Sequence, residues 1–156
     1  MKITSEEVLR GLINIFDING YRIEVYERLK SQLSNIELQT YFQQQVDESK
    51  LILDRLKPIL DDSLKYAENT SIFENAKIDQ SQFYFGLANA SKNPRMIMVS
   101  CQFGNEFLMK AYQKILQFLD TNALDSLWRI VSKHLESIRN TYMDYEYEVI
   151  NNLKFR

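Results

Sequence analysis

Apolar residues recur at alternating spacings of three and four along residues 125–152, a stretch that contains no Gly or Pro. The recurring positions are Trp128, Val131, Leu135, Ile138, Tyr142, Tyr145 and Val149. This spacing predicts a helix of about seven turns with one narrow apolar stripe. Because the stripe must be covered, we expect this helix to lie along other helices of similar length.

The same spacing predicts a long helix at the start of the chain. Thr4 and Glu7 form a capping box, so we expect this helix to begin near Ser5 and to run to about Gln32. Its stripe consists of Val8, Leu12, Ile15, Asn19, Ile23, Tyr26 and Leu33. The stripe is apolar except at Asn19.

A second capping box, Ser34 with Glu37, predicts a tight turn at 33–35 and the start of a second helix. A connection this short makes the first two helices antiparallel neighbours. The second stripe consists of Leu38, Phe42, Gln45, Ser49, Ile52 and Leu56. Pro58 has no backbone N–H, so we expect the helix to kink or end near it, with further helical turns at 59–67 as an option.

A long connection is expected at 68–93, with a short helix at 79–90 that presents Phe83, Phe85 and Leu87. Pro94 suits the first turn of a third long helix. Its stripe consists of Met98, Cys101, Asn105, Leu108, Tyr112, Ile115 and Leu119. A turn at 120–122 then pairs the last two helices antiparallel. The chain is therefore predicted to be all-α, a single domain over 1–156 that forms an antiparallel four-helix bundle, and the long connection is compatible with ferritin-like topology.

Composition narrows the classes of partner and location. The chain is 45% hydrophobic and 26% charged, which is ordinary for a globular domain. The net charge of −2 and the lack of a basic patch argue against nucleic acid as a partner. No apolar run approaches the roughly 18 residues of a membrane span. With one cysteine, Cys101, and an acidic start unlike a signal peptide, we expect a cytoplasmic protein.

Polar side chains interrupt the stripes at one height of the predicted bundle. Counting from the turns, Asn19 lies opposite Ser49, and Asn105 lies opposite about Ser137. Five hydrogen-bonding side chains are expected to meet there: Asn19, Gln45, Ser49, Asn105 and Tyr142. Left without partners, such buried groups would cost about 1–3 kcal/mol each, so we expect them to bond one another or an ordered water.

Two interpretations of this layer remain open. Bundle cores are where metal sites are built, and one glutamate from each long helix lies near this level: Glu24, Glu48, Glu106 and Glu136. An iron or manganese site needs anionic ligands and imidazole, whereas Leu51 and Arg139 occupy the positions where Glu-x-x-His motifs would place histidine. Arg22 and Arg139 could instead pair with these glutamates, and the sole histidine, His134, points elsewhere as a surface or packed residue. We therefore favour a neutral hydrogen-bond layer that fixes helix register, with no metal or other cofactor.

Other chemistry is not indicated, since the sequence contains no phosphate-binding glycine loop and no nucleophile with a His–acid pair. Aromatic residues are more numerous than one interior needs, notably at 83–85 and at Tyr142, Tyr145 and Tyr147. This excess favours a homo-oligomer, with a dimer as the first expectation, or a groove for a partner.

Three motifs resemble a small bacterial family of ferritin-like four-helix-bundle proteins of unknown function. They are Ile-Asn-Gly-Tyr-Arg-Ile-Glu-Val-Tyr-Glu at 18–27, Tyr41-Phe42 followed by Glu48-Ser49, and Cys101-x-x-Gly104 followed by Tyr112. The resemblance covers about residues 7–150. It implies a ferritin-like fold and an uncharacterised role, for which the stress response is one option, and it transfers no catalytic residues. The chain departs from the pattern at Asn105 and Tyr21, where acidic residues are common, and at Tyr142, where histidine is frequent.

The leading hypothesis is a non-enzymatic protein that works through self-association or partner binding. The alternative is a metal-binding, ferritin-like protein that uses the four glutamates with iron or manganese.

Overall fold

The computed structural model describes residues 6–64, 80–119 and 125–141 of this chain. In these ranges it contains helices and short connections but no strand. The helices are α1 (Glu6–Gln32), α2 (Ile36–Leu64), α3 (Gln80–Ala90), α4 (Pro94–Phe118) and α5 (Asp125–Asn140). The all-α prediction is confirmed for the part of the chain that is described.

Polar caps explain where two of these helices begin. At the start of α2, the Oδ1 atom of Asn35 accepts a hydrogen bond from the N–H of Leu38 (3.1 Å), so Asn35 takes the capping role that the sequence assigned to Ser34. At the start of α4, Asn93 Oδ1 accepts from the N–H groups of Arg95 (3.0 Å) and Met96 (3.2 Å). Pro94 follows this cap at the first helical position, as predicted.

Helix α2 continues through Pro58 to Leu64 and does not end at the proline. A proline inside a helix removes one backbone hydrogen bond, but the remaining turns of a buried helix are still held by packing. Leu56 and Leu60, on either side of Pro58, are both buried. Packing on both sides of the proline thus outweighs the lost bond.

The four long helices contact one another in a ring: α1 packs on α2 and α4, α4 packs on α5, and α5 packs on α2. The short helix α3 packs on α4 and α1. Gly104 allows the close approach of α3, since a Cβ atom at this position would lie 2.7 Å from a ring carbon of Phe85.

The predicted stripes supply most of the buried core, but Ile23 and Leu33 of the first stripe are only partly buried, and α5 and α3 also differ from the prediction. Trp128 was expected to face inward but is 44% exposed, and Leu127 is buried in its place. Because Leu127, Val131 and Ile138 share one face of α5, the stripe begins one residue earlier than predicted. Of the three apolar residues predicted to be presented by α3, Phe85 is buried, whereas Phe83 and Leu87 are exposed.

Several predicted features lie outside the described residues. They are the Thr4 cap, the helical turns expected after residue 64, the turn at 120–122, and the helix expected beyond residue 141 with Tyr142, Tyr145, Tyr147 and Val149. Among the helices that are described, none is long and apolar enough to span a membrane.

Candidate functional site

The centre of the molecule holds a charged residue, Arg22 of α1, whose side chain is completely buried. Its Nε atom donates to Oδ1 of Asn105 (2.9 Å) on α4. Its Nη1 atom donates to Oγ of Ser49 (2.7 Å), and Nη2 donates to Oε1 of Gln45 (2.6 Å), both on α2. Nη1 also donates to the backbone oxygen of Gln45 (3.2 Å). One guanidinium group thus ties α1 to two neighbouring helices.

Pairing with glutamates was an option for Arg22 from the sequence, whereas the hydrogen bonds described above go to amide, hydroxyl and carbonyl oxygens. Arg22 was missed as a central residue because arginine is almost never fully buried, and its neighbour Ile23 was assigned to the stripe. A signal was present, since Arg22 lies three residues after Asn19 and four before Tyr26, both of which are on the buried face.

A second branch of the network runs from α2 back through α1 to α4. Ser49 Oγ donates to Oδ1 of Asn19 (2.9 Å), so these two residues lie opposite each other. The amide nitrogen of Asn19 donates to the hydroxyl of Tyr112 (2.8 Å) and to the backbone oxygen of Ile15 (2.9 Å). On the other side of Arg22, the amide of Asn105 donates to the hydroxyl of Tyr26 (3.1 Å).

The structure therefore brings together Asn19, Gln45, Ser49 and Asn105, all buried, whereas Tyr142 lies outside the described residues. Asn105 was expected to lie opposite about Ser137, but the hydrogen bond described for Ser137 goes to α2. Ser137 Oγ donates instead to Oε1 of Glu48 (2.8 Å). Counting residues from a turn gives height along a helix but not the side that it faces, and Ser137 faces α2.

The network reaches α5 through Tyr112 and His134, whose Nδ1 atom lies 2.5 Å from the Tyr112 hydroxyl. Burial and, to a smaller extent, the positive charge of Arg22 lower the pKa of His134 to about 3. Burial also raises the pKa of Tyr112, against smaller opposing effects of Asn19 and Arg22. Both side chains are therefore neutral near pH 7. His134 is packed inside, which was one of the two options from the sequence, but it takes part in the network, from which it was expected to point away.

The four glutamates proposed for a metal site do not meet. Glu24 and Glu136 are exposed on different helices. Glu106 lies 3.8 Å from the Lys110 nitrogen on its own helix, and Glu48 bonds Ser137. In the ranges that the structure describes, no three His, Cys, Asp or Glu residues are placed to hold a metal ion. The side chains around Arg22 are mainly amides and hydroxyls, which do not supply the anionic oxygens that iron or manganese prefers.

Beside the network, a groove of about 440 Å³ opens along α2. Its described lining includes Gln45 and Glu48 of α2 and Thr141, which follows α5. The groove brings the surface close to the polar interior, since Gln45 also bonds Arg22.

A different feature occupies the outer face of α3 and α4. Phe83, Tyr84, Phe103 and Phe107 form a connected group of rings, called here the aromatic surface. The Tyr84 ring stacks on Phe103 at 5.2 Å and on Phe107 at 5.6 Å between centroids, and it meets the edge of Phe83 at 5.3 Å. Phe83 and Phe103 are 58% and 44% exposed.

Comparison of the chain with known protein families, with curated proteins and with solved structures finds no significant match. The ferritin-like resemblance therefore stays a prediction, and a function has to be argued from the geometry.

Proposed function

We propose that this protein is a non-enzymatic, ferritin-like antiparallel helical bundle that acts through self-association, with two copies joined at the aromatic surface. The observation that supports this is the contiguous group of Phe83, Tyr84, Phe103 and Phe107, in which Phe83 and Phe103 are exposed and the other two rings are half-buried. Aromatic residues are enriched at protein interfaces, and contiguous exposed apolar patches mark interaction sites.

Charge favours a second copy of the chain as the occupant. Helix α3 carries no Asp, Glu, Lys or Arg along its whole length, Gln80–Ala90. In a two-fold dimer each surface meets its own copy, so the uncharged α3 part of the surface would not repel itself, and on the α4 part the charge of Lys110, which lies 4.9 Å from the centre of the Phe107 ring, is paired with Glu106. Two-fold dimers are also the commonest soluble oligomers.

The internal network supports this role as a scaffold. A network of satisfied hydrogen bonds gives helices one defined arrangement, which a purely apolar stripe specifies less strictly. Here it joins α1, α2, α4 and α5. It therefore holds α4, which carries Phe103 and Phe107, in a fixed position.

Sedimentation velocity over a range of protein concentrations tests the proposal. We expect the wild-type chain to form dimers, and the double variant Phe83→Ser, Phe103→Ser to weaken the dimer at least tenfold, about 1.4 kcal/mol or more. Ile36→Ser is the matched control, because Ile36 is 77% exposed on α2, away from the aromatic surface. A wild-type chain that stays monomeric at high concentration contradicts the proposal, as does equal weakening by the control.

The metal-binding alternative makes a different prediction. If Glu24, Glu48, Glu106 and Glu136 held iron or manganese, protein loaded with Fe(II) or Mn(II) and then desalted would retain about one or two ions per chain. Elemental mass spectrometry measures this directly. The separation of the four glutamates leads us to expect a background signal.

A further inference from the structure

The direction of each hydrogen bond in the network follows from Arg22. A guanidinium group can only donate, so Ser49 Oγ must accept from it and use its own O–H for Oδ1 of Asn19. The amide nitrogen of Asn19 then donates to the Tyr112 hydroxyl. The single O–H of Tyr112 is left for Nδ1 of His134.

This order determines which nitrogen of His134 carries the proton. Nδ1 accepts from Tyr112, and the imidazole is neutral, so the hydrogen is on Nε2. His134 is 7% exposed, and its Nε2 atom is buried with no hydrogen-bond partner among the described residues. Nε2–H is therefore a buried donor that needs an acceptor.

A matching acceptor is present on the neighbouring helix. Oε1 of Glu48 accepts from Ser137, but Oε2 of the same carboxylate is buried without a hydrogen bond in the described part of the chain. Ser137, which donates to Glu48, follows His134 by three positions on α5, so the two side chains project from adjacent turns of this helix and the carboxylate lies beside the turn that carries the histidine. A single water molecule that forms two hydrogen bonds of about 2.8 Å can join two atoms that lie up to roughly 5.6 Å apart.

We propose that the space between α2 and α5 is a binding site for one water molecule, which accepts a hydrogen bond from Nε2–H of His134 and donates one to Oε2 of Glu48. Water fits because the site needs a small neutral group that both accepts and donates. The groove lined by Glu48 and Thr141 adjoins the site and provides a path for exchange with solvent.

The bound water gives the network a simple electrostatic order. The chain of donors begins at a cation, Arg22, and passes through Ser49, Asn19, Tyr112 and His134. With the water it ends at an anion, Glu48. Every hydrogen points from the positive end towards the negative end, so the bonds polarise one another in the same sense.

Two measurements on the wild-type protein test the site. Nitrogen-15 NMR of the imidazole should show His134 as the Nε2–H tautomer, and a high-resolution crystal structure should show a water within about 2.7–3.2 Å of both atoms. The Nδ1–H tautomer would overturn the assigned direction of the bonds. A direct contact between His134 and Glu48, or two unpaired atoms with no water between them, would overturn the water site.

Glu48→Gln provides a matched perturbation, because the amide can still accept from Ser137 while its other atom becomes a donor. The bridging water then loses its acceptor, so the Nε2–H proton resonance of His134 should move upfield and exchange faster with solvent. Glu24→Gln, an equal charge change at an exposed position on α1, should leave that resonance unchanged. Equal shifts in both variants, or none in either, would contradict the site. If Glu48→Gln does not fold, the wild-type measurements still decide.

Discussion

The interior and the surface of this protein each contain one region whose chemistry is unusual for its location. The centre contains a charged guanidinium and a chain of amides and hydroxyls around Arg22, whereas the outer face of α3 and α4 displays the aromatic surface. Buried polar groups are tolerated only when they are hydrogen-bonded. In this interior network the hydrogen bond that each donor makes fixes its position relative to the next side chain. The rings of the aromatic surface do not need hydrogen bonds within the chain in this way.

This difference between the interior network and the aromatic surface indicates which of the two regions can carry function. Changes in the interior should act on stability, because the network is made of contacts within the chain. Changes on the aromatic surface should act on association, with little effect on folding. The variants below separate these two kinds of effect, from the largest expected change to the smallest.

Arg22→Ala should have the largest effect. It removes the donor from Ser49, Gln45 and Asn105 at once, leaving several buried oxygens without a hydrogen bond. We expect a loss of about 3–5 kcal/mol in the free energy of unfolding, measured by urea denaturation. Arg10→Ala is the control, since Arg10 forms an exposed pair with Glu6 and should cost about 0.5 kcal/mol or less. Similar losses in both variants would mean that the network contributes little.

Acid should destabilise the protein through His134. Its folded pKa of about 3 lies below the ordinary 6.5, so the unfolded chain binds this proton more readily. The stabilisation is complete above pH 6.5 and is lost as the pH falls towards 3, by about 1.4 kcal/mol for each pH unit. His134→Gln, which cannot take up this proton, should remove that part of the slope between pH 6.5 and 5. An unchanged slope would contradict the buried, neutral assignment of His134.

These interior residues also show how far the sequence could predict the site. The stripe of α4, from Met98 to Leu119, is buried at every predicted position, because a spacing of three and four places side chains on one helical face. Arg22 was expected to pair with glutamates, because its complete burial depends on acceptors that two other helices supply and that one helix stripe does not show. The contact of His134 with Tyr112 was missed for a similar reason: the two residues are on different helices, and helical period alone does not pair faces.

The junction between the two regions can be tested with a pair of glycines. At Gly104→Ala the new methyl would lie 2.7 Å from the Phe85 ring, so α3, which carries part of the aromatic surface, must shift on α4. We expect a loss of about 1–3 kcal/mol in thermal or urea denaturation. At Gly20→Ala nothing lies within 4 Å, so helix propensity should raise stability by about 0.5–1 kcal/mol. Stabilisation of both variants would show that Gly104 is not a close-contact position.

The smallest effect on folding is expected on the aromatic surface itself. Phe107→Leu removes the ring that stacks on Tyr84 at 5.6 Å with an interplanar angle of 7°, a contact of about 0.5–1.5 kcal/mol for an aromatic pair. Because Leu keeps most of the apolar contact, we expect urea denaturation to show a loss near the lower end of that range. Phe118→Leu, on the same helix but outside the aromatic surface, should change stability by about 0.5 kcal/mol or less. The decisive comparison is between the dimer affinity from sedimentation velocity and the free energy of unfolding from urea denaturation. Phe107→Leu should lower the first by more than the second. If the variant loses stability but keeps full dimer affinity, these rings stabilise the fold and do not form the dimer interface. The proposed division between an interior that acts on stability and a surface that acts on association would then be wrong.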